Sequence, residues 1–258
     1  MQVMLHFLKV MISWQTVIVV SLSCLATYLC LRFDVTLDLP TALIGIAIVF
    51  PIVFSINAAY RRREEALGYF ASLKASAVSL FYAHRDWVTE DNPAHSPRMK
   101  ELIERLLHSI YICLTSRKSN AEHFKQVYAL FSDISTSIEK IRKAGVSSTE
   151  ISRGNQYLRY MMFDFERMRN IHIYRTPTAL RAYSHVFLNS FPVLFAPLFA
   201  KLSTDYYYVA GYLIATLYCL VLVGLDNIQE DLEHPYDQVG EDDLNLDVAE
   251  LYSQILTQ

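Results

Sequence analysis

The chain has 258 residues, a net charge of −3, 53% hydrophobic residues and only 7 glycines. Its mean hydropathy is +0.21. These numbers argue against an ordinary soluble domain and give no basic surplus for nucleic acid. The apolar residues form two blocks near the N-terminus and two near the C-terminus, with the charges between and after them.

The first block, Met11 to Leu31, carries no charge and is long enough to cross a hydrocarbon core. The second uncharged run is Leu39 to Tyr60. The link Arg32 to Asp38 has room only for a tight turn, so the two spans form a helical hairpin over residues 1–60. No A-x-A-like site stands out, and a hairpin partner follows at once; both speak against a cleaved signal peptide.

Residues 61–180 are charged, and their apolar positions recur at helical spacing. Glu64–His84, Met99–Leu114, His123–Ala144 and Glu150–Ile171 each read as an amphipathic helix. Breaks are predicted at Asp91-Asn92-Pro93, Ser116–Ser119 and Gly145–Ser148. The expectation is a cytosolic helical bundle continuous with the second and third spans.

The third span is predicted over residues 184–200. It is apolar but contains Asn189, Ser190, Pro192 and Pro197. The fourth covers residues 206–225, with Tyr206, Tyr207 and Tyr208 as an interfacial belt. Their link is expected at Lys201–Asp205, closing a second hairpin over residues 181–225. His185, where the third span begins, reads as a packed or interfacial histidine. Arg61, Arg62, Arg63, Arg175 and Arg181 flank the middle region, whereas the outer links carry only Arg32 and Lys201. The positive-inside rule then places both termini in the cytoplasm. After Lys201 there is no Lys or Arg. Residues 226–258 therefore read as an acidic, solvated tail.

The four cysteines, Cys24, Cys30, Cys113 and Cys219, show no metal spacing and read as small buried hydrophobes. No phosphate loop, dinucleotide fingerprint, zinc-protease motif or nucleophile elbow occurs, so nothing speaks for an enzyme.

Within the second span, Ile46, Phe50 and Phe54 stand at i, i+4 and i+8. They share one stripe of a helix, each about 6 Å above the last. Such a stripe by itself usually faces lipid or a packed core.

Three segments carry a resemblance. FSINAAYRRREEALGYF (54–70) resembles the segment that ends the second helix of bestrophins. YRTPTALRAYSHVFLNSFPVLFAPLF (174–199) is similar to the bestrophin lead into the third span. GLDNIQEDLEHPYDQVGEDDLNLD (224–247) is similar to the family's exit from the last span, where a Pro-aromatic step precedes an acidic turn. Order, spacing and span count agree along nearly the whole chain.

The resemblance implies an all-α membrane protein with four transmembrane helices and a cytosolic helical bundle, assembled as a homopentameric channel. Matched on Arg62, the family's three neck rings fall on Ile46, Phe50 and Phe54. A cytosolic constriction falls on Ile151, which otherwise reads as a core residue. The implied function is passive ion conduction, with chloride as the permeant ion and a hydrophobic neck that gates by dewetting. A sodium-conducting relative and a non-conducting scaffold or sensor stay open as alternatives. The implied partners are copies of the chain itself and the lipid bilayer, in a bacterial inner membrane.

Animal bestrophins bind Ca²⁺ through an acidic loop after the last span. Asp237, Glu241, Asp242 and Asp243 occupy that region here, at a longer distance from Pro235. Bacterial relatives instead end in a stretch that the DLNL at Asp243–Leu246 echoes. The sequence departs from the family in two places. Arg63 and Glu64 replace an aromatic pair, and Pro51 stands inside the second span, where it removes a helix hydrogen bond.

Overall fold

A computed structural model describes residues 13–38, 41–88, 95–116, 121–174, 178–239 and 243–256. Every regular element among them is a helix: α1 (Trp14–Arg32), α2 (Thr41–Asp86), α3 (His95–Thr115), α4 (Ala121–Lys143), α5 (Ser148–Ile173), α6 (Thr178–Leu194), α7 (Ala196–Asp205), α8 (Ala210–Glu233) and α9 (Ala249–Ile255). The chain divides into two units. One comprises residues 1–61 and 176–233, the other residues 62–175 and 234–258.

In the first unit α1 packs against α6, α7 and α8, and α8 packs against α6 and α7 as well. Three stretches among the described residues are long and apolar enough to cross a membrane: Trp14–Arg32, Arg181–Asp205 and Ala210–Glu233. The 19 residues of α1 span about 28 Å, close to the thickness of a hydrocarbon core. Ser13 and Thr16 form a capping box at its start, so the donors freed at that end are satisfied locally. Trp14 at one end, and Phe33 with Tyr206, Tyr207 and Tyr208 at the other, are strongly exposed. Rings in those places suit headgroup depth.

The third apolar run is not one helix. It breaks at Phe195 into α6 and α7, with Pro197 in the first turn of α7 and Pro192 inside α6. Proline withholds a donor, and a break in a helix frees carbonyls near it that lipid cannot satisfy. Ser23 of α1, fully buried, donates its hydroxyl to the Pro192 carbonyl at 2.7 Å. The helix then continues through Lys201–Asp205, so the turn falls at residues 206–209 rather than where the sequence placed it. Gly211 closes this turn. A Cβ there would overlap the Phe199 carbonyl oxygen and Ser203 Oγ. Its N–H donates to Ser203 Oγ at 3.1 Å, and no side chain fits so close an approach.

The second unit is a conventional helical bundle. Leu73, Leu80, Met99, Leu102, Leu106, Val127, Ile134, Met161 and Phe165 are buried in one core. Gly145 takes φ +93° in the turn between α4 and α5, and Ser147 caps α5. The breaks predicted at residues 91–93 and 117–119 lie outside the described residues. After α8 the chain returns to this unit. Tyr236, Leu244 and Leu246 are buried in its core, and Leu244 N–H donates to the Pro235 carbonyl at 2.9 Å.

Candidate functional site

The helix that carries the stripe at positions 46, 50 and 54, α2, runs unbroken for 46 residues through Pro51. In its apolar half Ile52, Ser55 and Ala59 are buried. Those positions, at i, i+3 and i+7, define the face turned into the first unit. Ile52 belongs to a cluster with Leu188, Phe195, Phe199, Ala215 and Leu222. Phe54 lies two residues on, about 200° round the helix, and is 56% exposed. Helical register puts positions 46 and 50 in line with 54. Their side chains lie outside the described residues.

Just past the apolar half, Arg62 donates to the Ile171 carbonyl and Arg63 pairs with Glu64 at 2.7 Å. Ile151, in the first turns of α5, is 7% exposed and packs in the core of the second unit within one chain.

The described part of the acidic turn contains Asp237 and Asp243; Glu241 and Asp242 lie outside the described residues. Val239 N–H donates both to Asp237 Oδ1 at 3.1 Å and to Asp243 Oδ2 at 3.0 Å. Burial pushes the Asp243 carboxyl up to about 6, and its hydrogen bond with Asp237 adds to the rise. The two described carboxylates, gathered on one backbone donor, fall short of the six to eight oxygens Ca²⁺ takes. The described residues thus do not fit a calcium clasp. The segment after them is no solvated tail either, because Leu244 and Leu246 anchor it in the core.

The sequence reading also misses a buried polar cluster in the first unit. Asp226 and Glu233, expected in a solvated tail, lie inside α8 and are 7% and 3% exposed. Register explains their place. The buried face of α8 runs through Cys219, Leu222, Asp226, Gln229 and Glu233, turning from apolar to polar along one stripe. Opposite it, Arg181, His185 and Asn189 recur at i, i+4 and i+8 on α6.

Three donors converge on one oxygen, Asp226 Oδ2: His185 Nδ1 at 2.8 Å, Asn189 Nδ2 at 3.0 Å and Gln15 Nε2 of α1 at 3.2 Å. Gln15 also donates to Asn189 Oδ1 at 2.8 Å. Nearer the end of α8, Arg181 approaches Glu233 at 3.7 Å. Continuing the apolar period of α8 past Leu225 would have revealed the stripe; the density of acids beyond it hid the signal.

Among the described residues no group of three or more His, Cys, Asp or Glu is arranged to hold a metal ion. No family model matches the sequence, and no curated protein is similar to it. Solved structures are. A bacterial bestrophin homologue from Klebsiella pneumoniae superposes with a TM-score of 0.80, at 18% identity, over 94% of this chain and 96% of its own. A single-substitution variant of that homologue gives 0.80 at 18% identity, over 95% and 98%. Another solved chain, described as a membrane protein, gives 0.80 at 17% identity over 94% and 96%. The fold is therefore bestrophin-like, with long apolar helices suited to a membrane joined to a helical bundle.

Proposed function

We propose that the chain is one subunit of a homopentameric ion channel in which five copies of α2 surround a pore, Ile46, Phe50 and Phe54 form its neck, and chloride passes. The observation that carries this reading is the face of α2. Ile52, Ser55 and Ala59 turn inward while Phe54, two residues from Ile52, is 56% exposed. In a bestrophin-like fold, we take that outward face to be the one that meets an axis shared by several copies.

Such a neck works through size and water. A narrow ring of apolar side chains empties unless it widens, so its diameter decides conduction without any fixed charge. The positive edges of phenyl rings favour an anion over a cation at that constriction. No nucleophile and base are needed, and ions move down their own gradient. The arginines that follow the apolar half of α2 orient the bundle, Ile151 and the C-terminal segment to the cytoplasm of a bacterial inner membrane.

Reconstitution in planar bilayers under a salt gradient tests this. The expected reversal potential lies near the chloride equilibrium value. A value near the sodium potential rejects the anion reading, and a silent membrane favours a scaffold. Replacing Ile46, Phe50 and Phe54 together by Ala raises conductance if they line the neck. Unchanged currents would place the stripe against lipid.

A further inference from the structure

The cluster around Asp226 holds more than hydrogen bonds. Among the described residues, its charged and titratable members from every element packed there are few. Helix α8 supplies Asp226 and Glu233, and α6 supplies Arg181 and His185. Helix α1 supplies only the neutral Gln15. Glu230 and Asp231 are exposed on another side of α8, and Lys201 of α7 pairs with Asp38. Arg181 balances Glu233. Among the described residues, Asp226 then has one group able to balance it, the imidazole 2.8 Å away. With that ring charged the cluster is neutral. With it neutral, one carboxylate remains uncompensated among apolar helices, where unpaired charge is costly.

The two partners also differ in access. Asp226 is 10% exposed at its side chain, whereas His185 is 56% exposed. A proton can therefore reach the ring without the carboxylate leaving its donors. The ring's Nδ1 already faces Asp226, which leaves Nε2 as the atom that gains or loses the proton.

We propose that His185 and Asp226 form a proton-binding site inside the membrane unit, one that locks α1, α6 and α8 together when occupied and loosens them when empty. Occupancy leaves the two amide donors, Gln15 and Asn189, holding a compensated carboxylate. Loss of the proton from Nε2 leaves the Nδ1–H and the same two amides to hold an anion with no counter-charge, and the junction of the three helices weakens. Helix α6 also carries Leu188, which packs in one cluster with Ile52 of α2. A shift of α6 is thus transmitted to the helix that bears the neck, a second step that rests on the pore reading of α2.

The test is the heat-unfolding midpoint of the full chain in detergent at about pH 5.5 and about pH 8. Wild type is compared with His185→Gln, which keeps an amide donor but no titrating proton, and with Asp226→Asn, which needs no counter-charge. The quantity is wild type minus variant, because His84 titrates equally in all three. Wild type should lead His185→Gln by several degrees more at the acid pH than at the alkaline one. The double variant should match Asp226→Asn at both. An equal lead at both pH values overturns the proposal, and so does a dependence on His185 that survives Asp226→Asn.

His185 is half exposed, so its variant keeps the assay readable even where Asp226→Asn folds poorly. Ion flux into vesicles at the same two pH values reads the second step. Wild-type flux should change with pH and His185→Gln flux should not. PH-independent wild-type flux rejects the link to the neck. A protein that carries no flux at either pH contradicts the channel reading, and the midpoints still decide the proton site.

Discussion

The two units of this chain differ in what they expose and in how much polar surface they bury. In the first, Val17, Leu25, Leu29, Leu213, Leu217 and Val221 are exposed, while Thr16, Ser23, Thr27, Asp226, Gln229 and Glu233 are buried. In the second, the interior is mostly Leu, Ile, Met and Phe, and the surface carries ion pairs one turn apart, such as Arg98 with Glu101 and Arg142 with Glu139. The same chain is built for two solvents. Lipid does not drive apolar surfaces together, so the first unit holds its helices by small-residue contact and hydrogen bonds. Water does, so the second closes by burial. Each unit hides what its own solvent would not accept.

The comparison is broken most severely at Gly211. Replacing it by Ala drives a methyl into the Phe199 carbonyl oxygen, part of the backbone of α7. The expected loss is about 3 kcal/mol, the upper end of overpacking, confined to the first unit. Proteolysis should then cut among α7 and α8 while the bundle core stays resistant. Uniform digestion of both units would contradict the separation.

The second unit also buries polar groups, and among them His84 has a strongly shifted titration. His84 of α2 is 2% exposed; its Nδ1 lies 2.9 Å from the Leu80 carbonyl and its Nε2 3.1 Å from Ser137 Oγ of α4. A neutral ring satisfies both, donating from Nδ1 and accepting at Nε2. Burial, the largest cause, holds the group down to about 4 from its ordinary 6.5. A depressed group of this kind adds stability that is full above the unfolded value. That stability, roughly 3 kcal/mol, is lost as pH falls through 6.5 toward about 4. Denaturant titrations over that window should show the slope in wild type and lose it in His84→Leu. An unchanged slope in the variant would move the acid weakness elsewhere.

The smallest effect sharpens the picture of the first unit. Ser23→Ala removes the hydroxyl that satisfies the Pro192 carbonyl. It should cost about 1 kcal/mol, the ordinary worth of one hydrogen bond. A serine-to-alanine change at a partly exposed helix position, such as Ser79→Ala, should cost next to nothing, since that hydroxyl bonds its own helix at Ala75. Equal losses at the two sites would deny Ser23 its place at the break.

What the sequence shows of all this follows the same division. The amphipathic period of α3, α4 and α5 is plain, because in water burial tracks hydrophobicity residue by residue. The spans are equally plain as apolar runs, but a run in lipid does not say which of its faces looks inward. The break at Phe195 is foreshadowed only by Pro192 and Pro197, and the turn at 206–209 is hidden by tyrosines that read as span. Asp226 and Glu233 mislead most. Acidic residues after an apolar run suggest solvent, and only helical register from Cys219 onward places them inside. The stripe at positions 46, 50 and 54 is visible as spacing, yet its meaning depends on other copies of the chain. One chain contributes only the exposure of Phe54.

The mass of the intact particle in detergent, taken together with its projected symmetry, tests the central claim most directly. Five copies around one axis, with α2 innermost and Phe54 turned toward the centre, is the expected result. A monomer or dimer, or a ring with some other helix at its centre, would contradict it.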